Sequence, residues 1–357
     1  MAERGSVGFG QRPGGDGSAG NGSTAVKSAT PNVPGAVTLD DETVAMLIPE
    51  RPERGHKGTF GKLLVIAGSL DYAGAGLLVC RGAGRAGAGL VTLAIPESLQ
   101  PLFAAKVVEA TTMALPEDDV EEIEPVDALA RILDHDHDAI VLGPGLRPAL
   151  AIADLVRDLL VFREDDPAPI VLDAEALRSL ATMGRWWGGS QRPAVLTPHA
   201  GEFARLRAGA GHDPANDGDL VDDDAARVGA ARDAAVEWGH VVVLKGANTV
   251  IAAPDREVAL SPFANPALAT GGTGDVLAGV IGSLLAQGLG PFGAARLGVY
   301  LHGAAGEAAS ERIGDAGLLA SDLPDQIAFA RRRLAGLAER RRKGTKVGFG
   351  VRDRAPG

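Results

Sequence analysis

Cysteine is nearly missing: the 357 residues hold one, Cys80. A lone thiol can form neither an intrachain disulfide nor a cysteine-based metal site, and it fits a reducing, cytoplasmic compartment. Cys80 lies among small apolar residues, which favours a packed thiol over a nucleophile. Aromatic residues are scarce, at 4%. No long apolar run escapes charges or Gly/Pro breaks, so no membrane span is expected. The N-terminus lacks the apolar core of a signal peptide. No run ends in Gly-Lys-Ser/Thr, which excludes a Walker A loop, and no His/Cys cluster has metal-ligand spacing.

Positive charge is also in deficit, with a net charge of −11. The deficit is uneven. Residues 331–357 hold ten Lys/Arg against two Asp/Glu, a local +8, which leaves −19 for the rest. An acidic surface disfavours non-specific nucleic-acid binding. The basic stretch reads as a solvated, disordered tail, with contact to RNA or an acidic partner as the other reading; its Arg331–Lys346 part can extend the final helix before fraying.

Glycine is abundant, at 49 residues. Residues 1–37 are rich in Gly, Ser, Pro and Ala and offer too little apolar surface to offset ordering entropy, so a disordered arm is expected there. The folded domain is expected over 38–330, with ordered structure from about Leu39. Asp40 or Asp41 can cap a short helix that Pro49 ends. From Lys62 onward, short apolar runs such as Leu63–Ala67, Leu90–Ile95, Ala139–Leu142, Ile170–Leu172, Ala194–Leu196 and Val241–Leu244 alternate with helical segments. That alternation predicts a mostly parallel central sheet with helices on both faces, a three-layer α/β sandwich. Lys245-Gly246-Ala247-Asn248 joins two strands as a hairpin-like element.

In such sheets ligands bind beyond the carboxyl ends of the strands. The loops there carry Gly68-Ser69, Gly143-Pro144-Gly145, Asp173-Ala174-Glu175, the Thr197–Glu202 run and Lys245-Gly246. The strongest signal is Thr270-Gly271-Gly272-Thr273-Gly274-Asp275 opening a long helix. Gly272, Thr273 and Gly274 can present backbone N–H groups at a helix N-terminus, an anion hole for phosphate. Asp275 can take a proton from a substrate hydroxyl. Lys245 can pair with phosphate as a point charge. His199 can touch substrate, and Glu202 can reach magnesium through water or serve as a helix cap. Gly82-Ala83-Gly84-Arg85-Ala86-Gly87 fits G-x-G-x-x-G but falls late in a helix, so its glycines are expected to serve helix packing. His135 and His137 are expected to be exposed.

As a set, these motifs resemble the ADP-dependent NAD(P)H-hydrate dehydratase family, within the ribokinase-like superfamily. The resemblance runs from about Leu39 to Ile327. It includes His56–Ser69, Ala86–Thr92, Gly143–Leu146, Asp173–Leu177, Thr197–Phe203, Lys245–Thr249, Gly271–Gly279 and Tyr300–Gly303. It implies a ribokinase-like fold. It also implies that ADP phosphorylates the C6 hydroxyl of the S-epimer of NAD(P)H hydrate (NADHX or NADPHX), after which phosphate leaves to give NAD(P)H and AMP. By motif position, Ala75, Gly145, His199 and Asp275 contact the hydrated dinucleotide, while Lys245, Gly246, Ala247, Asn248, Thr249 and Gly274 hold the AMP portion. Magnesium, a homotetramer and a functional link to a separate hydrate epimerase follow from the same resemblance. Ala200 departs from the proline the family usually carries. The alternative expectation is a ribokinase-like kinase of a small vitamin-precursor alcohol, which would share the Gly-Thr-Gly-Asp centre.

Overall fold

The structure is a computed structural model, described here for residues 32–347 except Glu121, Phe162 and Ser190. The expectation for the first 31 residues and for 348–357 lies outside the described residues. In chain order the elements are β1 (Val37–Thr38), α1 (Asp41–Ala45), β2 (Lys62–Ile66), α2 (Ala73–Ala86), β3 (Leu90–Pro96), α3 (Gln100–Ala104), β4 (Thr111–Leu115), β5 (Glu117–Asp119), β6 (Glu122–Ile123) and α4 (Pro125–Leu133). They continue with β7 (Ala139–Leu142), α5 (Leu150–Leu160), β8 (Ile170–Leu172), α6 (Glu175–Ala181), β9 (Ala194–Leu196), α7 (Ala200–Gly209) and α8 (Asp224–Trp238). The last are β10 (Val241–Leu244), β11 (Val250–Ala252), β12 (Val258–Leu260), α9 (Thr273–Ala286), α10 (Pro291–Ile313) and α11 (Leu323–Val347).

Ten strands form one sheet in the order β1-β12-β11-β10-β9-β8-β7-β2-β3-β4. Within this sheet, among the described residues, only the β10–β11 and β11–β12 pairings are antiparallel. Successive strand residues face opposite ways. Along β2, Leu63 and Val65 join the core under α2, α9, α10 and α11, whereas Leu64 and Ile66 join the core under α4 to α8. Both faces of the sheet are therefore covered, which is why its strands read as unbroken apolar runs.

α2 and α9 pack backbone to backbone. A Cβ on Gly82 would lie 2.6 Å from Val276 O, and one on Gly279 would lie 2.1 Å from Val79 O. Of the G-x-G-x-x-G run, Gly82 thus serves helix packing, as expected, whereas Gly84 has open space beside it and Gly87 ends α2 as its left-handed C-cap.

Three expectations are corrected. Ordered structure begins before Leu39, because Val37 and Thr38 pair in parallel with Ala259 and Leu260 as an edge strand. The basic segment from Arg331 continues α11 through Val347, which bears out the helical extension over Arg331–Lys346 and not the disordered tail read from its charge. Its Leu334 and Ala338 continue the buried stripe of Ile327 and Ala330, at the i, i+3 and i, i+4 spacing of a core-facing helix. Its arginines meet the acidic α1 region: Arg333 pairs with Asp41, Arg341 with Glu42 at 3.2 Å and Arg342 with Glu50 at 2.7 Å. Finally, the His137 side chain is 2% exposed and lies 3.4 Å from Asp166, so it is not a surface group. No helix of the described residues is long and apolar enough to cross a membrane.

Candidate active site

The loops at the carboxyl ends of β2, β7, β8, β9 and β10 nest against one another. Gly68 N donates to Pro144 O at 2.8 Å, and Thr197 N donates to Leu172 O at 3.1 Å. Gly143 has φ +120°, and a Cβ there would sit 2.0 Å from Asp173 O. Gly145 has φ +67°, and its Cβ would sit 2.6 Å from the Ala75 methyl. Glycine is required at both positions by backbone and by space. The contact also places Ala75 and Gly145 together in one wall. One helical turn on from Ala75, Leu78 faces Gly272, where a Cβ would come within 2.7 Å of Leu78 Cδ1. This wall therefore adjoins the N-terminus of α9.

Gly272 is the N-cap of α9, with φ +91°. The N–H groups of the following turn have no acceptor within the helix and carry its partial positive charge. The Thr273 hydroxyl donates to Leu268 O at 2.8 Å and reaches Thr270 O at 2.9 Å, so this side chain anchors the loop and leaves anion binding to the backbone. His302, on α10, holds its Nε2 2.9 Å from Thr273 O. Burial pulls its pKa down to about 4, so it is neutral and donates that hydrogen bond.

Four charged side chains, Lys245, Asp173, Glu202 and Asp275, fill the centre. Lys245 Nζ lies 2.8 Å from Asp173 Oδ1 and 3.7 Å from Glu202 Oε2. Burial works against the lysine's charge, yet the carboxylates of Asp173, Glu202 and Asp275 together raise its pKa. Asp275 stands in the first turn of α9. Burial first, and then the Asp173 carboxylate, push its pKa up to about 7, while Lys245 pulls the other way. A carboxyl group near neutrality can hold or release a proton at cellular pH.

His199 and Glu202 form a capping box on α7. His199 Nδ1 accepts from Gly201 N at 3.1 Å, and Glu202 Oε2 accepts from His199 N at 2.9 Å. The cap explains Glu202 without a metal. Among the described residues, no three His, Cys, Asp or Glu side chains converge as a metal cage.

A cavity of about 550 Å³ opens beside Lys245 and Gly274. His199, Gly246, Ala247, Thr249, Phe263 and His302 are among its walls. Asn248 is not one of them. With φ +50° it makes the turn between β10 and β11, and its Nδ2 donates to Ser261 O at 3.0 Å. The Lys245–Thr249 loop is held from behind by Arg227, 1% exposed, which donates to Ala247 O and, at 3.2 Å, to Leu244 O. Sequence reasoning missed Arg227, because an arginine within a helix carries no local signal. It cited Asp173 and His302 inside motifs without a role. Asp173, directly after a buried strand, carried a usable positional signal.

A profile of the family described as NAD(P)H-hydrate dehydratase matches residues 63–328. The chain belongs to this family. It is 36% identical over 287 residues to the ADP-dependent (S)-NAD(P)H-hydrate dehydratase of Neisseria meningitidis, covering 80% of this chain and 89% of that one. It is 43% identical over 289 residues to the bifunctional NAD(P)H-hydrate repair enzyme Nnr of Moorella thermoacetica, covering 80% of this chain and 52% of that protein. This chain thus spans about half the length of the bifunctional relatives it matches. A crystal structure of the ADP/ATP-dependent NAD(P)H-hydrate dehydratase of Bacillus subtilis, co-crystallized with ATP/Mg2+, superposes with a TM-score of 0.69 at 33% identity, covering 84% of this chain and 99% of that chain. The ribokinase-like α/β fold expected from the motifs is the fold observed.

Proposed function

We propose that this protein dehydrates the S-epimer of NAD(P)H hydrate at the expense of ADP. The observation that carries the reading is Asp275: a carboxyl group pushed up to about 7, in the first turn of a glycine-capped helix, grouped with Lys245 and Asp173. The 550 Å³ cavity beside Lys245 takes the adenosine of the nucleotide. Lys245 and the α9 N-terminus draw its phosphates toward Asp275. The substrate ring lies against Ala75 and Gly145, with its C6 hydroxyl toward Asp275. Asp275 accepts the hydroxyl proton as that oxygen takes the terminal phosphoryl group of ADP, and AMP leaves. The C6–O bond then breaks with loss of phosphate, a proton leaves C5, and the ring double bond returns.

Magnesium bound with the nucleotide would neutralise phosphate charge. Magnesium needs only one or two protein carboxylates beside phosphate, and Asp173 and Glu202 are the ones that face Lys245. ADP preference over ATP, a homotetrameric assembly, a cytoplasmic setting and a hydrate epimerase supplying the S-epimer belong to the same reading.

The experiment is recovery of reduced-nicotinamide absorbance from hydrated NADH or NADPH with magnesium and either ADP or ATP. Recovery by the wild type, lost in Asp275→Asn, supports the reading and names the donor. No recovery, together with nucleotide consumption on a thiazole or pyrimidine alcohol, replaces it with the kinase reading.

A further inference from the structure

A second cavity, about 960 Å³, runs along the outer face of α2. Gly74 and Gly271 line one end, so it begins where the Ala75 wall meets the glycine turn of α9. The packing of Leu78 and Ala320 against Gly272 makes the catalytic turn part of the groove's floor. From Gly74 the groove follows α2 to Arg85, 11 residues on, or about 16 Å at 1.5 Å per residue. The loop after α3 forms the opposite bank with Lys106, Val108 and Glu109.

Its charge is lopsided. Arg81, Arg85 and Lys106 line it against the single carboxylate of Glu109. Arg85 is committed to Asp325 at 2.8 Å. Arg81 and Lys106 are exposed, and neither has an ion pair among the described residues. Between them the walls are apolar, including Leu77, Leu78 and Leu319. Unpaired cations beside an apolar floor are what a nucleotide's phosphates and base require.

We infer that this groove seats the non-reacting nucleotide half of the hydrated dinucleotide, with Arg81 and Lys106 meeting its phosphates. The inference rests on the function proposed above and deepens it. If ADP fills the cavity beside Lys245, the second adenosine must leave Asp275 by another route, and the groove opens at Gly271. Arg81 and Lys106 then set dinucleotide specificity without touching the reacting atoms.

NADPH, the product, shares the distal half and reports binding by its own fluorescence. Wild type and the double variant Arg81→Ala, Lys106→Ala are titrated with NADPH, NADH and reduced nicotinamide mononucleotide, and with ADP by calorimetry. Two lost charge-assisted contacts weaken NADPH binding by about tenfold or more. Mononucleotide and ADP affinities hold, and Arg81→Lys restores part of the loss. Equal weakening of NADH and NADPH assigns the cations to the shared pyrophosphate. Weakening of NADPH alone assigns them to the 2′-phosphate. If dinucleotide and mononucleotide weaken together, or neither weakens, the inference fails. It also fails if the double variant changes only the oligomeric state, which would make the groove the seat of a second copy of the chain. A wild type that separates dinucleotide from mononucleotide through these cations, yet restores no hydrate, would keep the groove and reject the activity.

Discussion

Asp275 shows how little of a residue's chemistry lies in its identity. Its pKa of about 7 is set by burial and by Asp173, a hundred residues earlier in the chain. As the proposed general base it must be ionised, so kcat should rise with pH up to a limb near 7 and level off above it. A pH–rate profile flat down to pH 5 would remove Asp275 from that role. Asp275→Asn should lower kcat by about 10²-fold or more while leaving ADP binding nearly intact. The same shift has a stability consequence. Because the folded pKa lies above the ordinary aspartate value of 3.8, the folded state binds more protons than the unfolded state between about pH 4 and 7. Stability from this group is therefore present below pH 4 and lost as pH rises through 7. Asp275→Asn should raise the melting temperature by a few degrees at pH 8, on the order of 2 kcal/mol, and leave it unchanged near pH 4. Thermal melts at the two pH values decide this.

At the scale of elements, two interfaces position the site. The first is α2 against α9, where Gly82 and Gly279 let backbones approach too closely for any side chain. Gly279→Ala should cost roughly 1–3 kcal/mol in denaturant unfolding, because the neighbouring atom is the Val79 carbonyl and cannot swing away. The second is α8 against the Lys245–Thr249 loop, joined by Arg227, whose Nη1 also lies 2.9 Å from Asp224. Arg227→Ala removes a buried donor set from the Ala247 and Leu244 carbonyls, at a cost of about 2–4 kcal/mol. The KM for ADP should rise more than the KM for the hydrate, because the loop lines the cavity beside Lys245. Equal rises in both would mean Arg227 supports the fold without shaping that cavity. These contacts were not legible in the chain. Gly82 was correctly read as a packing residue, yet nothing in the sequence named Val276 as what it packs against.

For the molecule as a whole, the basic segment changes meaning once it is folded. Counted as charge, residues 331–357 suggested a solvated tail. Folded, residues 331–342 cover the α2–α9–α10 side and neutralise the carboxylates near α1. Asp41 also accepts from Tyr300 Oη at 2.6 Å, tying α1, α10 and α11 together. A chain ending at Ala330 should lose cooperative unfolding or melt well below the full chain, since it bares the surface under Leu334 and Ala338. A truncated chain with an unchanged melting curve would return the segment to the status of a tail.

The sequence by itself determined the strand–helix alternation, the parallel sheet, the glycine-capped helix bearing Asp275 and the loops that meet around it. Each of these rests on local patterning, through side-chain periodicity and the conformational freedom of glycine. The edge strand β1 and the small β5–β6 hairpin escaped notice because each is too short to set a period. α4 did carry a legible helical period, with Ala128 and Ile132 buried one turn apart. Only the tertiary structure decided which charges meet. It placed Asp173 beside Lys245, buried His137 by Asp166, turned Arg227 onto the Lys245–Thr249 loop and laid the basic helix on α1. Those outcomes depend on residues tens to hundreds of positions apart. Burial and Coulomb interaction act through space, and no window along the chain contains both partners.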